Sequence, residues 1–169
     1  GGDDTALIAD AVKFGGGEHT SGYPWWQMAA KTYVPWAGAP GSVNDRGDVT
    51  IRPAYAEYVG ADAYLSIHAN ASGQANSTAR GLSTYRYSCQ QYGDHSSSSD
   101  AVNCDDPPGS RELTHLVHEA VLARVRDDFE PEYRDVGARV ANFGELRDLD
   151  SMPGTLIETA FFDNLAPGG

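Results

Sequence analysis

The stretch Ala63-Tyr64-Leu65-Ser66-Ile67-His68-Ala69-Asn70-Ala71 decides the fold of this chain. A short, mostly apolar run of this length reads as a buried strand. Its period of two puts Ser66, His68 and Asn70 on one side. In an open α/β sheet, ligands bind beyond the carboxyl ends of the strands, so a histidine there is well placed to hold a metal. The plan recurs later: Thr155-Leu156-Ile157 runs into Glu158 and then Thr159-Ala160-Phe161-Phe162-Asp163-Asn164. Two apolar strands, each ending on one chemically able side chain, suggest a site shared by His68 and Glu158.

Working outward, Thr50 is a fair N-cap for a short helix over Arg52–Val59, with Pro53 near its first turn and Gly60 ending it. Helix, tight turn and buried strand form half of a βαβ unit. Trp25–Trp36 reads as a helix that Pro35 should close, with its aromatics in the core, and Ala37–Asp48 as a Gly- and Pro-rich loop. Arg80–Ser88 alternates as a strand does, and Cys89–Gly109 is a long loop. Ser110–Phe129 is the clearest helix: Ser110 caps it, and Leu113, Leu116, Val117, Ala120, Val121, Val125 and Phe129 form its apolar stripe. His115 and His118 fall off that stripe and read as a solvated face. Val140–Leu146 and Gly154–Thr159 read as further strands. Strands alternating with helices make an α/β fold, a mostly parallel sheet with flanking helices.

The 169 residues carry 12 Lys and Arg against 24 Asp and Glu, a formal net charge of −12. That balance excludes recognition of nucleic acid through its phosphates, which needs a basic surface. It also opposes adhesion to anionic lipid, and no apolar run approaches the ~20 residues of a membrane span. Cys89 and Cys104, the only two cysteines, share a polar loop and match no common zinc spacing. Joined, they would contribute on the order of 3 kcal/mol and imply an oxidising compartment.

Glu158 is flanked by Leu156, Ile157, Phe161 and Phe162, and a carboxylate there is expensive to bury unpaired. It is either salt-bridged, to an arginine such as Arg147, or a general base tuned by its surroundings.

Ile51–Ala71, through Ser66-Ile67-His68-Ala69-Asn70, resembles the zinc-dependent N-acetylmuramoyl-L-alanine amidases, and Pro153–Asn164 resembles that family's second signature, Val-Glu-Thr-Gly-Phe-x-x-Asn, with Ala160 in place of the glycine. The resemblance covers roughly Val49–Leu165. It implies Zn2+ as cofactor, His68 as a zinc ligand, Glu158 as the catalytic carboxylate and peptidoglycan (its muramyl peptide) as substrate. It also implies an extracytoplasmic location; the acidic balance and the short apolar runs leave neither nucleic acid nor membrane insertion as partners.

The family's other two ligands, a histidine in a Gly-His-Gly-like turn and a glutamate shortly after, have no counterpart ahead of His68. Residues 1–17 resemble the last strand of the golvesin-type β-sandwich inserted in some large amidases. The expected organisation is therefore a remnant strand over 1–17 and the C-terminal part of an amidase domain over 18–169, a fragment inactive by itself. A zinc carboxypeptidase-like hydrolase uses similar parts, and a non-catalytic wall-binding module is the reading from another class.

Overall fold

In a computed structural model, the described residues are Gly22 and residues 30–74, 77–87 and 105–164. The expected strand at 1–17 and the Cys89–Cys104 pair lie outside them.

Three helices come first: α1 (Ala30–Trp36), α2 (Gly41–Asn44) and α3 (Asp48–Val59). Val34, Ala39, Val43, Ile51 and Ala54 form their common core. Helix α1 contains Pro35 rather than stopping before it, and the loop expected over Ala37–Asp48 holds α2. Helix α3 starts earlier than its composition suggests. Gly47, not Thr50, is its N-cap, and Asp48 places a carboxylate in the first turn, where the helix dipole favours it. Pro53 consequently sits inside the helix. Gly60, at φ +66°, ends α3 in a Schellman turn: its amide bonds the Glu57 carbonyl and the Ala61 amide bonds that of Ala56. The left-handed conformation is cheap only without a Cβ, so the glycine fixes where the chain turns into the sheet.

The sheet comprises β1 (Tyr64–Asn70), β2 (Leu82–Tyr87), β3 (Asp135–Ala141) and β4 (Gly154–Phe161), in the order β1-β4-β2-β3. β1 pairs β4 and β2 pairs β3 in parallel, while β2 and β4 are antiparallel. The fold is thus α/β with a mostly parallel sheet, as expected. The third strand was expected over Val140–Leu146. It ends instead at Ala141, and Gly144–Arg147 forms the short helix α5.

The sheet buries both faces differently. On one face, Tyr64, Tyr85 and Leu156 pack with Leu146, Leu149 and Met152 from α5 and the turn after it. Phe143 stacks edge-on against Tyr85 with ring centroids 5.1 Å apart. On the other face lies α4 (Ser110–Asp128), covering Leu82 and Ile157 with Leu122, Val117, Val121 and Val125. Here the sequence pattern misleads. The buried line of α4 is Ser110, Thr114, His118 and Leu122, whereas Leu116 is 59% exposed.

Hydrogen bonding explains the rotation of α4. Thr114 Oγ1 donates to Thr155 Oγ1, and the Gly154 amide donates to Ser110 Oγ. His118 bridges Thr84 Oγ1 and Asp135 Oδ1 through its two ring nitrogens. His118 is therefore a buried cross-brace and not a solvated residue. Ser110 is spent on the sheet, and Gly109 is the N-cap.

Candidate functional site

β1 and β4 run side by side in the same direction, and their register sets His68 opposite Glu158. The same register sets Ser66 opposite Leu156, so the core under Leu156 gives way to polar groups two residues further along. Past His68 the register shifts, a bulge that loosens the pairing where the site opens. Thr159 Oγ1 donates to the His68 carbonyl and the Phe162 amide to that of Asn70, holding the two strand ends together. Beyond them, Asp163 Oδ2 accepts from the Ser72 amide, the Ser72 hydroxyl and the Gly73 amide, so the segment after β4 fastens the loop after β1. Asn164 Nδ2 donates to the Ala79 carbonyl and extends that clamp.

A third group reaches the site from the sheet face. Glu145, in α5, is 6% exposed, and its Oε1 lies 3.3 Å from His68 Nε2. Ser66 Oγ is 2.9 Å from the same nitrogen. Sequence reasoning missed Glu145 because it takes Val140–Leu146 for a strand. The signal available was Glu145 beside Leu146, an acidic residue in an apolar neighbourhood, as at Glu158.

The electrostatics follow from this triangle. Contact with Glu145 raises the His68 pKa above its ordinary value; burial opposes this, the charges of Glu145 and Glu158 reinforce it, and Arg52 works against it. Burial alone would raise the Glu145 pKa. The His68 contact, the Glu145 amide and the charges of His68 and Arg52 outweigh it and bring the value below normal. Glu158 behaves oppositely: burial raises its pKa, the His68 charge pulls it down and the Glu145 charge pushes it up. Two carboxylates a short distance apart thus differ in character, one held ionised and the other made a better proton acceptor.

Glu158 Oε2 is buried and has no hydrogen-bond partner among the described residues. Among the described residues Glu158 makes no salt bridge, and the arginine considered for it, Arg147, reaches Asn142 Oδ1 and approaches Asp148. Among the described residues, no group of three His, Cys, Asp or Glu side chains is arranged to enclose a metal ion. The donors that do converge are an imidazole and carboxylates, both of which zinc accepts. An orphaned buried oxygen beside them needs a cation or a water to satisfy it. These residues fit part of a zinc shell and a neighbouring base.

The family model for N-acetylmuramoyl-L-alanine amidase matches residues 41–166. Among solved structures, the N-acetylmuramoyl-L-alanine amidase of Clostridium difficile 630 is 24% identical with a TM-score of 0.50, over 90% of this chain and 75% of that one. The catalytic domain of CwlV, the N-acetylmuramoyl-L-alanine amidase of Bacillus (Paenibacillus) polymyxa, is 25% identical with a TM-score of 0.46, over 69% of this chain. AmiC2 of Nostoc punctiforme, an amidase of the same description, is 21% identical with a TM-score of 0.44, over 86% of this chain and 72% of that one. The chain spans about half, 49%, of the CwlV catalytic domain. Comparison with curated proteins returned no match.

Proposed function

Since the chain belongs to the N-acetylmuramoyl-L-alanine amidase family, we propose that the protein it is part of carries out zinc-dependent hydrolysis of the amide joining N-acetylmuramic acid to L-alanine in peptidoglycan. The observation that carries this reading is the register of β1 on β4. It sets an imidazole and a carboxylate opposite each other where two parallel strands end.

In this reading His68 is a zinc ligand, and the remaining ligands of the family pattern lie outside the described residues. Zinc, when bound, supplies Lewis acidity that polarises the scissile carbonyl. Glu158 supplies the base. Its raised pKa and unpartnered Oε2 suit it to take a proton from the attacking water. The water oxygen adds to the amide carbonyl carbon, the C–N bond breaks, and the same proton goes to the departing nitrogen of L-alanine. The products are a carboxylic acid on the muramyl side and a free amino group on the peptide. The strand clamp at Thr159 and the Asp163 fastening hold the two strand ends at fixed spacing during this exchange.

Peptidoglycan as substrate goes with an extracytoplasmic location, which also accommodates a Cys89–Cys104 disulfide. Among the described residues, no helix is long and apolar enough to cross a membrane. Residues 18–169 are assigned to the C-terminal part of the amidase domain, a fragment of its catalytic machinery, and residues 1–17 to the end of an inserted golvesin-type β-sandwich. Both assignments rest on sequence resemblance.

The test is His68→Ala in the full-length protein, with bound zinc and release of peptide from peptidoglycan measured together. Both should be lost, because a catalytic zinc site has three protein ligands and cannot spare one. A folded His68→Ala protein with normal zinc content would remove His68 from the metal site.

A further inference from the structure

We propose that Glu145 sets the tautomer of His68, keeping its proton on Nε2 and so leaving Nδ1 as the nitrogen offered to a metal ion. The part concerning the metal rests on the zinc reading of His68 given above; the part concerning the tautomer does not.

A neutral imidazole carries one N–H, and the neighbours of its two nitrogens decide where it sits. His68 Nε2 has two neighbours, Ser66 Oγ at 2.9 Å and Glu145 Oε1 at 3.3 Å. The serine hydroxyl imposes nothing, since it donates to a bare nitrogen as readily as it accepts from a protonated one. An ionised carboxylate only accepts. With the proton on Nδ1, the Nε2 lone pair would face a buried carboxylate oxygen, and such repulsion is strong where water is excluded. Placing the proton on Nε2 turns that repulsion into attraction. No hydrogen bond engages Nδ1 among the described residues, so the lone pair left there is available. Pairing of a metal-binding histidine's second nitrogen with a carboxylate is a general way of orienting the ring and raising its basicity.

The position of Glu145 is fixed by packing. Its neighbour Leu146 is 1% exposed. A Cβ on the preceding Gly144 would come within 2.7 Å of Val49 Cγ1, so α5 is seated directly on α3. Phe143, on the other side, is held against Tyr85. The carboxylate is thus delivered to Nε2 by a packed turn. Glu145 is on this view a positioning residue, and the division of labour with Glu158 follows: one carboxylate is committed to the imidazole and the other keeps a free oxygen.

The test reads the tautomer directly. Nitrogen-15 NMR of the histidine ring, at a pH where His68 is neutral and without metal, should find the wild-type proton on Nε2. Glu145→Leu should raise the Nδ1–H population, because the Ser66 hydroxyl is then free to donate to a bare Nε2. Its zinc affinity, measured with zinc alone by chelator competition, should fall about 10- to 100-fold. Glu145→Gln offers Nε2 either an acceptor oxygen or a donor amide, so it should weaken the preference for Nε2–H while keeping most of the affinity. Ser66→Ala, a small change that tests the same point if the leucine variant does not fold, should leave the tautomer where it is. A wild-type proton on Nδ1, or a switch to Nδ1–H on Ser66→Ala, would overturn the inference. So would loss of zinc by Glu145→Gln as complete as by His68→Ala, which would make Glu145 a ligand. A full-length wild-type protein that holds the Nε2–H tautomer but takes up no zinc would leave Glu145's role standing and remove the zinc reading.

Discussion

Leu156→Ala is the substitution that most directly probes how the sheet presents its site. Leu156 is 1% exposed and packs with Tyr64, Tyr85, Leu146, Leu149 and Met152. It lies on β4 opposite both Ser66 and Tyr85, and two residues before Glu158 on the same face. Its side chain is therefore the floor on which Glu158 and His68 stand. Truncation loses the transfer energy of the methylenes and leaves a cavity that the surrounding strands cannot collapse, for a cost of about 3–5 kcal/mol. For a chain of this size each kcal/mol lowers the melting temperature by about 2–4 °C, so a drop of about 6–20 °C is expected. Urea titration followed by far-UV circular dichroism measures the free energy, and calorimetry measures the temperature. Leu116→Ala, at a position 59% exposed on α4, is the control and should change stability by no more than about 0.5 kcal/mol. A Leu156→Ala protein within about 1 kcal/mol of wild type would refute this assignment of the core.

Two further outcomes are expected. Glu57 on α3 accepts hydrogen bonds from the amides of Asp150 and Ser151 and from the Ser151 hydroxyl, fastening the turn before β4. Burial disfavours its charge, but these bonds outweigh it and hold its pKa below the ordinary carboxylate value. A depressed carboxyl pKa stabilises the fold above the unfolded value and ceases to as pH falls through the folded one. Glu57→Ala should therefore cost about 1–2 kcal/mol at pH 7, discounted for solvent screening, with the difference from wild type vanishing in acid. A difference independent of pH would contradict it. Cys89 and Cys104 should be joined in natively oxidised protein, seen by intact mass as a gain of two protons on reduction; two thiols that alkylate without reductant would contradict it.

Much of the fold was legible because its strands are short apolar runs with chemically distinct ends. Tyr64–Asn70 and Gly154–Phe161 are the strands that the patterns around His68 and Glu158 called for. Their adjacency, which makes a site of two separate motifs, depends on a crossover more than eighty residues long and is not written in either segment. Glu145 was illegible for a different reason. It sits on a four-residue helix, too short to show a helical period, after a strand that ends sooner than its apolar residues suggest. The face of α4 was misjudged because Thr114 and His118 are buried by hydrogen bonds to Thr155, Thr84 and Asp135 rather than by hydrophobicity. A stripe counted from apolar residues alone turns the helix too far toward Leu116.

The measurement that bears most directly on the proposed activity is turnover of peptidoglycan by full-length Glu158→Gln, alongside its zinc content and melting temperature. The substitution keeps the shape of the side chain and removes the base. Peptide release should fall by about a hundredfold or more, the usual worth of a general base, while bound zinc and stability stay close to wild type. A folded, zinc-replete Glu158→Gln protein that releases peptide at nearly the wild-type rate would contradict the account.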